Sequence, residues 1–378
     1  MACQQARRHP VGSPAAGIGT FAPYNGLGAT VTLVTMSAAK EWAMSDVPGG
    51  LGLEPAQVAD VLTTAGRAPS LHNTQPWWFR VRPDVIELHA DPSRSLPVTD
   101  PESREMRLAC GAALYTLRLA LHGHGIRPLV TIRPDPDDPD LIAAVRHGGS
   151  RPATPEQRTL LRAVPLRHTN RRPFADTPVG AAERSAMRRA AQEEGVWLHE
   201  VLDPLQRARL RDLAVRAHHT QLTDPGFRDE MERWTAVSPD RADGVPATAG
   251  GPLPEPHRVW TLRDFTGGTG ARLDPAKDPG GEPLVAVLSA YLTGPHAEIQ
   301  AGQAMQRVLL TATVHGLAAS FVSQIVEVPS IREELRRLVG GTLLPQVVLR
   351  VGYGHPVLAT PRRPATDLLA PHPCAAEN

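Results

Sequence analysis

Two short segments about a hundred residues apart constrain this chain more than any of its helices or strands. The first, PSLHNTQPWWF from Pro69 to Phe79, is a small-polar loop closed by Pro76. A loop of that kind presses backbone amides and short side chains against a flat ligand. The second, RHTNRRPF from Arg167 to Phe174, is cationic. Arg167, Arg171 and Arg172, with the hydroxyl of Thr169 and the amide of Asn170, offer forked donors suited to a phosphate dianion and to electron-rich carbonyl oxygens. A chain that uses both segments on one ligand must fold two distant parts together.

Size and charge narrow the class. The 378 residues allow about two domains of ~150 residues each, and a 41% hydrophobic content is ordinary for a chain with a buried core. Lys+Arg of 40 against Asp+Glu of 39 leaves +1, too small a balance to make nucleic acid or an anionic membrane the main partner. The three cysteines, Cys3, Cys110 and Cys374, have no metal-binding or disulfide spacing, so no metal site is expected and a reducing cytoplasm suits the chain. No apolar run reaches the roughly 18 residues of a membrane span. Residues 1–46 read as an N-terminal extension without a convincing signal segment.

Periodicity places the segments. A helix is expected near Glu54 to Gly66, with Pro55 in its first turn and Val58, Val61 and Leu62 on one stripe. Two strands follow, Trp77 to Arg82 and Val85 to His89, then a long helix from Glu102 to His122 and a strand at Leu129 to Ile132. Leu141 to Arg146 reads as the start of a short helix before a break at Gly148 to Pro152. Beyond it come helix Ala182 to Glu194, strand Val196 to Val201, helix Leu205 to Gln221, a long irregular stretch, helix Ala297 to His315 and strand Gln346 to Val351. The two long helices end in LRLALHGHGI and LTATVHGLAA, which pairs His122-Gly123 with His315-Gly316 and expects each glycine to end its helix left-handed. The second lobe has no counterpart of PSLHNTQPW, since its first helix passes through Gly195 directly into a strand. Asp91, Arg94, Asp100, Arg104 and Glu105 read as turn and helix-cap residues.

Both segments resemble signatures of the nitroreductase family. Ala68 to Trp77 is similar at nearly every position to the family's APS-x-x-N-x-QPW loop, and Arg167, Thr169 and Arg171 are similar to its R-x-S-x-R/K segment. In that family the two come from different subunits. Here one chain carries both, loop first, which resembles the fused Acg branch, as does DPSRSLPVTDPESREMRLACGAAL. The resemblance covers roughly Leu53 to Leu369. It implies an α+β nitroreductase-like fold in which two tandem halves, 47–150 and 151–371, form an intramolecular pseudo-dimer around antiparallel sheets, with 223–283 as a lid. A monomer or weak homodimer follows.

The resemblance further implies FMN as cofactor and NAD(P)H as electron donor. Ser70, Leu71 and Asn73 match positions that cover ring and ribityl chain; Gln75 belongs to the same candidate set, although with Pro76 and Trp77 it also suits loop architecture. Arg167 and Thr169 match phosphate-binding positions, Asn170 adds an amide, and Arg362 and Arg363 match the basic residues that complete the clamp. Arg171 matches the group near flavin N1 and the C2 carbonyl. Ser320 to Gln324 falls where the family lays donors near N5, with Ser323 or Gln324 as the donor. Arg171 and Ser323 are thus the candidate catalytic residues. His72 reads as an ordinary loop histidine or a substrate contact. The implied activity is hydride transfer from NAD(P)H through FMN to a small electron-poor acceptor; the alternative is a lid-closed protein that binds flavin with little turnover.

Overall fold

The computed structural model describes residues 47–255, 258, 260–274 and 280–369. The expected extension, 1–46, lies outside them.

Helix α1 (Pro55–Ala65) starts where the sequence reading puts it. Glu54 and Gln57 form a reciprocal cap, Pro55 occupies the first turn, and Val58, Val61, Leu62 and Ala65 are buried. Strands β1 (Trp77–Val81) and β2 (Val85–Ala90) make an antiparallel hairpin, with Trp77 opposite Ala90. Helix α2 (Arg104–Gly123) leads into β3 (Ile126–Ile132) and β4 (Leu141–Ser150). The sheet order is β1-β2-β4-β3. The helix expected at Leu141 to Arg146 is therefore a strand. Ala143 to Val145 pair with β2 on one side and β3 on the other, and a strand buried between neighbours loses the alternation that marks half-exposed ones.

After α3 (Pro155–Ala163) the plan recurs: α4 (Ala181–Glu193), β5 (Trp197–Glu200), α5 (Pro204–Thr223), α6 (Pro225–Trp234), the short parallel pair β6 (Thr235–Val237) and β7 (Val245–Pro246), then β8 (Leu284–Ala290), α7 (Pro295–Val314), β9 (Ala318–Phe321), α8 (Gln324–Glu327), α9 (Pro329–Leu338) and β10 (Leu344–Gly352). Its sheet order, β5-β8-β10-β9, repeats that of the first sheet element for element. The long, broken stretch expected at 223–283 holds α6, β6 and β7.

Helices α2 and α7 join the two sheets. Each is 20 residues long, and each carries a glycine at its eighth position, Gly111 and Gly302. A Cβ on Gly111 would stand 2.1 Å from the Ile299 carbonyl oxygen, and one on Gly302 would stand 2.0 Å from that of Leu108. The helices thus cross backbone to backbone, a contact no larger residue permits. The same 14-residue spacing leads from Gly111 to Gly125 and from Gly302 to Gly316, whose φ angles are 78° and 72°. The structural partner of His315-Gly316 is therefore His124-Gly125. His122-Gly123, the pair expected from sequence, lies inside the last turn of α2, and Gly123 does not adopt the left-handed conformation.

One apolar cluster runs through both halves along these helices, including Leu114, Leu117, Met305, Val308 and Leu349. A second cluster packs α5, α8 and α9 on the far face of the second sheet, with Leu210, Ile331, Val285 and Val348. That covers β8 on both faces, and all seven of its residues are buried. No described helix is long and apolar enough to cross a membrane.

Candidate functional site

The loop from Gly66 to Pro76 spans the gap between α1 and β1, and it is strained. His72, Asn73 and Gln75 have φ of 50°, 57° and 50°, a left-handed region that costs a non-glycine residue about 1–3 kcal/mol. Hydrogen bonds hold it there. Asn73 Nδ2 donates to the Gly244 and Pro361 carbonyls at 2.8 and 3.0 Å, and Gln75 Nε2 donates to the Ala242 carbonyl at 2.8 Å. The Arg363 amide donates to Gln75 Oε1 at 2.9 Å, and Arg94 donates to the Thr74 carbonyl and to Asp243. Within the loop, the Gln75 amide donates to Ser70 Oγ. The 223–283 segment on one side and the C-terminal segment on the other fix the bend. Its residues Ser70, Leu71 and His72 face a cavity.

The cationic segment is tied to the second sheet. The Asn170 amide donates to the Ala319 carbonyl at 2.9 Å, and the Asn170 side chain accepts from the Arg172 amide while donating to the His355 carbonyl. Arg350, on β10, donates to the carbonyls of Asn170 and Arg172. With Asn170 so engaged, Thr169 and Arg171 face the cavity. Arg167 is buried, and among the described residues its side chain reaches only the Arg67 carbonyl, at 3.4 Å. Arg362 donates to Asn73 Oδ1 at 2.8 Å and shares the Arg67 carbonyl.

Arg167 and Arg362 thus meet with Arg67, and among the described residues neither has a carboxylate partner. Burial pulls Arg167 down to about 10, while burial and then the charges of Arg167 and Arg67 pull Arg362 down to about 9. Their Nε atoms are buried and make no hydrogen bond among the described residues. Arg167 is buried and Arg362 half-buried, and guanidiniums this close that repel one another favour a bound anion. The donor set suits a phosphate dianion, and a flavin mononucleotide would supply one.

The cavity, with adjoining open solvent counted, measures about 1010 Å³. It lies where the loop, the cationic segment, α2, β10 and the β9–α8 turn meet. Ser320, Ser323 and Gln324 line it, as do the lid residues Trp260, Arg263 and Phe265. The 223–283 segment, the expected lid, is fastened at several points. Arg171 Cζ stands 4.3 Å from the Phe265 ring centroid and its Nη1 donates to the Ala249 carbonyl at 2.9 Å. The lid backbone comes close at Gly251, where φ is 89° and a Cβ would stand 2.7 Å from Arg171 Cβ. Arg263 forms a buried ion pair with Glu327 on α8, donates to Ser323 Oγ at 2.9 Å, and donates to Gln221 on α5.

Electrostatics in the cavity are set by burial. His72 is held down at about 3 by burial and then by the Arg263 charge, so its ring is neutral, and neither ring nitrogen makes a hydrogen bond among the described residues. Glu105 is pushed up to about 7 by burial, against the pull of Arg104. Arg171 is lowered to about 10 and Arg350 to about 9, again by burial.

The expected site residues therefore divide by position. Ser70, Leu71, Thr169, Arg171, Ser320, Ser323 and Gln324 line the cavity. Arg167 and Arg362 form a cationic cluster beside it. Asn73, Gln75, Asn170 and Arg363 are engaged with protein carbonyls and amides. Sequence reasoning missed Arg350, hidden in a strand, and assigned Glu105 wholly to helix capping, although it lines the cavity. Asp100 does cap, accepting from the Arg104 and Met106 amides at 2.8 and 3.0 Å.

Two proteins of Mycobacterium tuberculosis strain H37Rv carry the name "Putative NAD(P)H nitroreductase". One, Rv3131, is 35% identical over 322 residues, covering 82% of this chain and 90% of its own length. The other, acg, is 31% identical over 317 residues, covering 82% and 94%. The chain belongs to the nitroreductase family. No family model matches it. Among solved structures, a Desulfitobacterium hafniense nitroreductase with bound FMN is similar at 14% identity and a TM-score of 0.37, over 56% of this chain and 97% of its own. A Bacteroides fragilis nitroreductase with bound FMN is similar at 14% identity and 0.32, over 52% and 88%. Family membership rests on the sequence relatives.

Proposed function

We propose that this nitroreductase-family chain is an FMN-dependent oxidoreductase that moves a hydride from NAD(P)H to a small electron-poor acceptor. One observation carries the reading: the strained loop, the cationic segment and the β9–α8 turn converge on one cavity, next to the guanidiniums of Arg167 and Arg362, which have no carboxylate partner among the described residues. The names of the mycobacterial relatives support the nicotinamide donor.

Arg167 and Arg362, with Arg67, would hold the phosphate, each charged hydrogen bond contributing about 1.5–3 kcal/mol before desolvation. Thr169 stands between that cluster and Arg171 in sequence and lines the wall. When bound, FMN would take a hydride from the nicotinamide and pass it to the acceptor. Arg171, pinned by Ala249 and Phe265, is a preplaced donor for the negative charge that reduction brings to N1 and the C2 carbonyl. Ser323 keeps its hydroxyl oriented by Arg263, and with Ser320 and Gln324 it lines the cavity as a candidate donor that would serve N5. Asn73, Gln75, Asn170 and Arg363 act as braces that hold these groups in place.

We read 47–150 and 151–371 as halves of an intramolecular pseudo-dimer, with 223–283 as its lid. The identical strand orders and the matched glycine crossing support that reading. A monomer or weak homodimer in a reducing cytoplasm is consistent with it.

A second reading has its own observation. The lid reaches into the cavity, with Phe265 against Arg171 and Arg263 paired to Glu327, and a lid so fastened favours flavin retention over turnover. Anaerobic addition of NADPH or NADH to the purified protein separates the two. A yellow protein that bleaches rapidly supports the oxidoreductase. One that keeps its colour with nucleotide but bleaches with dithionite supports sequestration, and a protein that takes up no FMN overturns both.

A further inference from the structure

Glu105 stands in the first turn of α2, its side chain 11% exposed, and lines two cavities at once. One is the large cavity of the proposed site. The other is a small, narrow crevice, about 220 Å³ with adjoining open solvent counted, that also touches Thr74, Arg94, Ser95 and Asp100. Oε1 accepts from Arg104 Nη1 at 2.7 Å, and among the described residues Oε2 takes no hydrogen bond. Arg104 is itself occupied by the Gln346 carbonyl and side chain, so it orients the carboxyl without being free to follow it. We infer that Glu105 delivers a proton from the small cavity into the large one and is the group that protonates the acceptor. The inference rests on the oxidoreductase reading and adds a residue to it.

The balance is simple. An acceptor such as a quinone takes two electrons and one proton as hydride from NAD(P)H by way of the cofactor. Its oxygen then forms a bond to the proton of the Glu105 carboxyl as the carboxyl O–H breaks. The carboxylate left behind regains a proton from solvent through the small cavity.

The surroundings suit the task. Arg104 on the same helix favours the carboxylate; Asp100 ahead of the helix and Glu327 on α8 oppose it. His72, Arg171, Arg263 and Arg350 face the same cavity from the loop, the cationic segment, the lid and β10, while Arg94 faces the small one. Burial is the largest influence and leaves the group near 7, within the working range of a general acid. His72, neutral with a value of about 3, holds no spare proton at neutral pH.

The test compares wild type, Glu105→Gln and Glu105→Asp, each loaded with FMN, reduced with dithionite and mixed with 1,4-benzoquinone. Wild type should reoxidise more slowly as pH rises above about 7, Glu105→Gln should be slower by about 10²-fold with that pH limb absent, and Glu105→Asp should restore part of both. The loss should fall on reoxidation and not on bleaching by NADPH. Independently, infrared difference spectra between about pH 6 and 8 should show a band of a buried carboxyl losing its proton near 7 that is present in wild type and absent in Glu105→Gln, with or without flavin, while the carboxyl of Asp100, held up at about 6 by burial, contributes equally to both proteins. A missing band, or a Glu105→Gln protein with wild-type reoxidation at every pH, overturns the inference. Failure to bind FMN or to be bleached by nucleotide overturns the oxidoreductase reading instead, while the infrared spectra still report on Glu105.

Discussion

The two halves share a frame and differ at one junction. Between α1 and β1 the first half inserts the eleven residues 66–76, which bend under strain and open a cavity. At the corresponding place between α4 and β5 the second half has only Glu194, Gly195 and Val196. That short turn is sealed. Gln300 on α7 donates to the Glu194 carbonyl, and the Glu194 carboxylate accepts from Arg118 on α2 and Arg307 on α7. The same crossing of α2 and α7 thus supports a pocket on one side and a partly buried ion-pair network on the other. Loop length and chemistry, not the sheet, decide which side holds a ligand.

The largest effect expected is on the frame itself. Gly302→Ala would drive a methyl group into the Leu108 carbonyl at 2.0 Å, and overpacking of that kind costs about 1–3 kcal/mol or more. Both halves should lose stability together in urea titration. Separate transitions for the two halves would show that the crossing does not couple them.

The next two expectations pull the sides apart. Arg167→Ala with Arg362→Ala should yield colourless, folded protein, because about 3–6 kcal/mol of charged hydrogen bonding to phosphate is removed; full flavin occupancy would end the phosphate assignment. Glu194→Ala should do the reverse. Removing one partner of a fully buried pair costs about 3–5 kcal/mol, and this partly buried network should lose less, so the urea midpoint should fall modestly while the absorbance of bound flavin per folded chain stays constant.

How much of this was legible follows the same division. The loop and the cationic segment stand out because their residue types serve a ligand and have little use in a core. The strained angles at His72, Asn73 and Gln75 were not readable, since they depend on Gly244, Pro361 and Ala242, more than 160 residues away. Strand β8 is buried on both faces and has no alternation to detect, and Leu141 to Arg146 failed for the same reason. The repeat was seen two residues out of register, because HGHG offers two His-Gly pairs and only the position of Gly111 selects between them. Glu105 was hidden by its neighbour Asp100, whose capping role explained the acidic cluster too completely.

Two smaller expectations sharpen the pocket side. His72 is held below its usual value, so the unfolded chain binds its proton first, and stability should decline as pH falls from about 6.5 toward 3. His72→Asn, which tolerates the positive φ, should flatten that slope in urea titrations across pH; an unchanged slope would remove the buried-histidine argument. Phe265→Ala removes a stacking contact worth about 0.5–2 kcal/mol over Arg171 and should speed nucleotide bleaching severalfold if the lid limits access. An unchanged rate would make that contact a passive one.

The most direct measurement is the FMN content of the purified chain, read from visible absorbance against protein concentration, with the oligomeric state determined on the same sample. One FMN per polypeptide in a monomer is the expected result. Two per polypeptide, or binding only when two polypeptides associate, would contradict a single cofactor site closed by the chain's own two halves.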